Sequence, residues 1–102
     1  RTYLQLRNTQ NKSWATQSVR KGIEHANDRN YVLAIKGYQS ALELDPDNAD
    51  AYVALGAAHA NQSKFEEAIK SFERALRLQP DHNNAGRYLA ATKAKLRERL
   101  GP

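Results

Sequence analysis

The sequence predicts an all-α solenoid: two helical hairpins stacked side by side and closed by a C-terminal capping helix. Three observations predict it. First, residues 15–48 align without a gap on residues 49–82, and 14 of the 34 positions are identical: Ala15, Val19, Gly22, His25, Ala26, Asn27, Ala34, Ile35, Lys36, Ala41, Leu42, Leu44, Pro46 and Asp47 each match the residue 34 further on. A period of this length marks a stacked array whose units cannot bury their apolar faces alone. Second, the apolar residues inside each unit recur at helical spacing, not strand spacing. Third, each unit closes on a proline, Pro46 or Pro80, which lacks an amide donor and clashes with a preceding helical turn.

The elements follow in order. Residues 1–14 form an N-terminal extension in which Tyr3, Leu4 and Leu6 are apolar but the periodicity is short. Two repeats are fewer than the three usually needed for stability. This segment is therefore expected to be partly helical and to pack on the repeats, or to pair with a second copy of the chain. Trp14 is expected at the junction, with Ser13 capping the first repeat helix. Unit one, residues 15–48, has a polar first helix containing Gly22. Its second helix carries Ala34, Ile35, Tyr38, Ala41 and Leu42, a single apolar stripe.

Asp47 and Asn48 can cap the helix that opens unit two, residues 49–82. That helix carries Tyr52, Val53, Leu55, Gly56, Ala57, His59 and Ala60. Glycine inside a helix costs about 1 kcal/mol against alanine, so Gly56 implies the close approach of a neighbour. Ala34, Ala41, Ala68 and Ala75 imply the same on the facing helices. Ser63-Lys64-Phe65-Glu66 reads as a capping box, followed by the stripe Ala68, Ile69, Phe72, Ala75 and Leu76. Residues 83–100, NNAGRYLAATKAKLRERL, read as a third first-helix without its partner. Leu89 and Ala90 stand where Leu55 and Gly56 stand in unit two, and His82 helps to start the helix.

A glycine in the first helix, alanines flanking an aromatic in the second, and LELDPDNADAY joining the units together resemble the tetratricopeptide repeat (TPR) family. The residues that carry the likeness are Tyr52, Leu55, Gly56, Ala68, Phe72, Ala75 and Pro80 in unit two, and Gly22, Ala34, Tyr38, Ala41 and Pro46 in unit one. It covers residues 15–100. Unit one departs from the pattern at Ser18 and Lys21, where bulky apolar residues are usual. The resemblance implies a non-catalytic module, part of a larger protein, that binds a peptide or helix on a concave face lined by the first helices. The residues aimed into that face would be Arg20, Ile23, Asn27, Val53, Ala57, Asn61, Arg87, Tyr88 and Lys95, with Thr16, Val19, Asp50, Ala54, Asn84 and Ala91 among them. Asn27 and Asn61 either hold a peptide backbone there or cap the helix ends in the left-handed conformation. One subfamily grips the C-terminal carboxylate of chaperones with lysines, asparagines and an arginine. The matching places are Val19, Ile23, Ala54, Asn84 and Tyr88, none of which fits, so chaperone tails are not expected as partners. A narrower resemblance, carried by SWATQSVRKGI, YVALGAAHAN and PDHNNAGRYL, is to repeats that follow an S1-type nucleic-acid-binding domain. It implies a nuclear, RNA-linked setting.

Other features exclude most chemistry. Cysteine is absent, which removes disulfides and thiolate reactions and fits an intracellular protein. No apolar run approaches the roughly 18 residues of a membrane helix. The chain begins at Arg1 and lacks methionine, so it is expected to be part of something longer. There is no glycine-rich phosphate loop, no HExxH and no G-x-S-x-G. His25 and His59 hold equivalent places in units roughly 10 Å apart, too far to share a zinc ion at about 2.0–2.1 Å, and a structural role is expected. Asp45, Asp47 and Asp50 lack the spacing of a calcium loop and read as caps. No catalytic, cofactor or metal site is therefore expected.

Charge leaves an alternative open. Residues 1–27 and 83–102 each hold five basic and one acidic side chain, while residues 28–82 hold six basic and nine acidic. Basic ends could form an accessory RNA-binding surface. Lys93, Lys95, Arg97 and Arg99 are its candidates, with Arg87, Arg1, Arg7, Lys12, Arg20 and Lys21. The acidic middle and scarce exposed aromatics oppose it, since single strands bind on stacking platforms. Self-association is a third reading.

Overall fold

The computed structural model describes residues 3–101, with side chains from residue 10 onward. It has five helices: α1 (Tyr3–Asn27), α2 (Tyr31–Leu44), α3 (Ala49–Asn61), α4 (Phe65–Leu78) and α5 (Asn83–Leu100). There is no strand among the described residues. The hairpins α1/α2 and α3/α4 pack side by side through α2 and α3, and α5 closes the stack on α4.

The hairpin corners are built identically. The His25 carbonyl accepts the Asn30 amide at 2.8 Å and the Ala26 carbonyl accepts the Arg29 amide at 2.9 Å; His59 with Lys64 and Ala60 with Ser63 repeat this at 2.9 Å each. The corner requires one left-handed residue, and Arg29 (φ 62°) and Ser63 (φ 61°) occupy it. This corrects two expectations. Ser63 is not the cap of a capping box, because α4 starts after Lys64, which makes no side-chain cap bond. Asn27 and Asn61 are the last helical residues, not the left-handed ones. Other starts behave as expected: Asn48 Oδ1 accepts the Ala51 amide at 3.0 Å, and His82 Nδ1 accepts the Ala85 amide at 3.2 Å.

A third correction concerns the N-terminus. α1 is one helix of 25 residues, so Ser13 caps nothing. No glycine or proline interrupts it before Gly22, and the Thr16 hydroxyl bonds back to the Lys12 carbonyl within it. Trp14 is 47% exposed and not packed into a junction. The expected packing of Tyr3, Leu4 and Leu6, like Arg1 and Arg7, lies outside the described side chains.

Alanine dominates the core. Among the described residues the buried apolar side chains are Ala15, Ala34, Tyr38, Ala41, Ala49, Ala51, Val53, Ala58, Ala68, Phe72, Ala75 and Ala85. Nine of these twelve are alanine, so the helices approach closely and each buries little area. Gly56, expected at a close approach, and its equivalent Gly22 each receive an aromatic ring of the facing helix. A Cβ at Gly56 would lie 2.5 Å from Phe72 Cε1, and one at Gly22 would lie 2.5 Å from Tyr38 Cε1. Unit one solves its polar departure differently. A Cβ at Gly37 would lie 3.1 Å from the Ser18 carbonyl oxygen and 3.3 Å from the Gly22 Cα. Backbone packs on backbone there, whereas unit two has Tyr52 and Ser71 at these places. Lys21 is exposed.

Candidate functional site

The first helices α1, α3 and α5 line one side of the stack. A groove of about 570 Å³ runs across them. Its apolar lining comes from Val19, Ile23, Val53, Ala54, Ala57 and Tyr88; Asn27, Asn61 and Asn84 add amides, and Asp50 with His82 closes one end. A smaller hollow of about 240 Å³ between α3 and α5 continues it, with Phe72, Ala91, Thr92 and Lys95 in its walls. Ala57, Asn61 and Tyr88 belong to both.

These placements sort the predicted residues. The groove brings together Ile23, Asn27, Val53, Ala57, Asn61 and Tyr88, and Lys95 stands at the smaller hollow. Arg20 and Arg87 are exposed but line neither. The groove wall contains no lysine or arginine, and Val19, Ile23, Ala54, Asn84 and Tyr88 all lie in it. Ile23 and Tyr88 are 45% and 41% exposed, large apolar groups facing water. Among the basic candidates Lys93, Lys95 and Arg97 are exposed. Arg99 is already engaged: it donates to the Ser63 carbonyl at 2.8 Å and its guanidinium lies 5.8 Å from the centre of the Phe65 ring.

Sequence reasoning missed one contact. His82 Nε2 and Asp50 Oδ1 are 2.7 Å apart, joining the starts of α3 and α5. Since Nδ1 accepts the Ala85 amide, the neutral ring carries its proton on Nε2 and donates it to Asp50. Unit one has Thr16 and Asn48 at the equivalent places, so the repeat itself gave no signal of the pair.

The two equivalent histidines sit at the hairpin corners. Both are half-buried. His59 Nδ1 is buried without a hydrogen-bond partner, and burial lowers its pKa from the ordinary 6.5, with Glu67 opposing and Lys64 adding to the shift. A neutral ring filling space fits this environment. Among the described residues no three metal-ligating side chains converge, and no helix is long and apolar enough to cross a membrane.

Known proteins resemble this chain in sequence and fold. A family model described as "Tetratricopeptide repeat" matches residues 49–82, and one described as "TPR repeat" matches residues 30–63. The chain is 40% identical over 51 residues to Tetratricopeptide repeat protein 14 of Mus musculus, a stretch that is 50% of this chain and 7% of the mouse protein. It therefore spans only a small part of that relative. Among solved structures, the first TPR of Spaghetti (RPAP3) bound to HSP90 peptide SRMEEVD is 26% identical with a TM-score of 0.76, covering 80% of this chain and 65% of the other. The second TPR of Spaghetti with the same peptide is 25% identical with a TM-score of 0.81, covering 85% and 81%. The second TPR domain of human RPAP3, in complex with HSP70 peptide SGPTIEEVD, is 26% identical with a TM-score of 0.74, covering 78% and 66%. Together the two family models span residues 30–82, more than half of the chain, on a fold of the same helical hairpins: the chain belongs to the tetratricopeptide repeat family.

Proposed function

We propose that this chain is a non-catalytic protein-interaction module that takes a segment of another protein in the groove across α1, α3 and α5. One observation carries the reading. The groove is an open concave surface of about 570 Å³ that keeps Ile23 and Tyr88 partly in water, and exposed apolar concavities with a few placed polar groups are where segments dock. The similar structures solved with chaperone peptides support the class of partner. They do not extend to the same peptides. Those peptides end in Glu-Glu-Val-Asp, while the groove wall here has Asp50 and no lysine or arginine, which disfavours a clustered negative charge.

The test is a peptide array probed with the chain and with Ala57→Arg, which places a guanidinium on the groove floor. Binding to a subset of peptides should be lost in the variant while its thermal unfolding stays near the parent's. An array on which no signal depends on Ala57 removes the reading.

A further inference from the structure

The period of the sequence reappears in the shape of the groove. Each residue lining the smaller hollow lies 34 positions after a residue lining the larger groove. The same notch is thus made twice, once between α1 and α3 and again between α3 and α5. In passing from the first to the second, Ile23 becomes Ala57, Tyr38 becomes Phe72 and Ala54 becomes Tyr88. Both floors remain apolar. At the mouth, Asn27 and Asn61 become Asn61 and Lys95. The first notch ends in two amides, the second in an amide and an ammonium. Lys95 is exposed and makes no ion pair among the described residues.

Packed helices lie about 8–10 Å apart, so successive notches are separated by about that distance along a line crossing the helices. An occupant of both must present two apolar side chains on one side at this spacing. A β-strand fits poorly, because same-side residues recur at about 6.6 or 13 Å. A helix offers about 10.5 Å at seven residues, but its amides and carbonyls are bonded internally and leave Asn27 and Asn61 nothing to hold. A polyproline-II segment returns to the same side every three residues, about 9 Å, with its backbone groups free.

We propose, on the basis of the groove reading above, that the two notches take an extended polyproline-II-type segment with apolar side chains three residues apart. The amides of Asn27 and Asn61 hold its backbone, and an acidic residue beside the second apolar side chain meets Lys95. Its carboxylate is a single side-chain charge, not a chain terminus.

The probe is a fluorescein-labelled, C-terminally amidated peptide with a leucine-proline-proline-leucine-glutamate core and Gly-Ser flanks, titrated against the full chain by anisotropy. Moving the leucines one residue closer should weaken binding about tenfold, the scale of losing one anchor. Lys95→Glu, at an exposed site, should weaken it about fivefold and regain that loss when the peptide glutamate is replaced by lysine. Equal affinity for both leucine spacings, or indifference to Lys95→Glu, overturns the inference. If other array peptides bind in an Ala57-dependent manner but these do not, the groove reading stands and the two-notch inference falls. If no peptide binds so, both fall. Should Ala57→Arg instead abolish a concentration-dependent dimer seen by sedimentation, the occupant is a second copy of the chain and the inference is overturned.

Discussion

Glycine in this protein has opposite meanings at two helical positions. A Cβ at Gly56 would strike the Phe72 ring, whereas one at Gly86 meets nothing within 4 Å. Gly86→Ala should therefore raise stability by about 0.5–1 kcal/mol through helix propensity alone. Gly56→Ala should lower it by roughly 1–3 kcal/mol through overpacking, and paired urea unfolding curves check both signs. The left-handed corner gives a second prediction. Ser63 sits at φ 61°, which costs a side-chain-bearing residue about 1–2 kcal/mol. Ser63→Gly should stabilise by roughly 0.5–1 kcal/mol after the entropy of a freer unfolded chain is deducted, read as a higher urea midpoint. The contact from Arg99 survives because it goes to the backbone carbonyl. His59 supplies the pH dependence. Its folded pKa is depressed below 6.5 by burial, so the unfolded chain takes up the proton first. Stability is full above about pH 6.5 and falls as pH drops through the window below, until the folded ring is protonated too. His59→Gln should flatten the urea midpoint over that window; a fall as steep as the parent's would assign it to other groups.

At the scale of elements, what was legible is what the repeat states twice. The stripes on α2 and α4, the close approach at Gly56 and the capping role of Asn48 could all be read from the sequence; that aromatic rings fill the space at Gly22 and Gly56 could not. What was not legible depended on geometry that spacing does not encode. Ser63 looked like a cap because serine is a good one, but the corner needed a left-handed residue at that place. Ser13 looked like a helix start because a repeat begins nearby, yet nothing upstream breaks the helix. At the site, the placing of Ile23, Val53, Ala57 and Tyr88 on one face came from the family resemblance, and the four line the groove. Arg20 and Arg87 share helices with groove residues but line neither hollow, and the Asp50–His82 contact crosses units with no echo in unit one. The basic end of α5 is similarly divided: Lys95 stands at the smaller hollow and Arg99 is held by Ser63 and Phe65. Replacing Lys93, Lys95 and Arg97 by glutamine should leave melting unchanged and remove whatever weak RNA retention a low-salt filter assay detects. Arg99→Gln should instead lower the melting temperature. Sequence-selective RNA binding that survives about 0.2 M salt, where phosphate contacts lose most of their strength, would contradict this division.

The molecule measures 59 × 29 × 17 Å, and among the described residues its helices touch only near neighbours: α1 and α2 make no contact with α4 or α5. Among the described residues nothing ties the two ends together. Stability in such a stack is a sum of unit and neighbour terms, so the ends need not melt as one. Unit one closes on the smaller Ser18 and Gly37 where unit two has Tyr52 and Ser71, so its terms are expected to be the weaker. Hydrogen exchange should show the amides of α1 and α2 opening at lower free energy than those of α3 and α4. Equal protection across all four would mean that the interface between α2 and α3 couples them fully.

The open side of Gly86 carries a different consequence. It occupies the place where Tyr52 anchors α3 to its partner helix, and the space beside it is empty. A further hairpin helix arriving at that side would find no aromatic to grip. A helix pairing with α5 would have to close there as unit one does, backbone on backbone, in the way Gly37 lies against the Ser18 carbonyl.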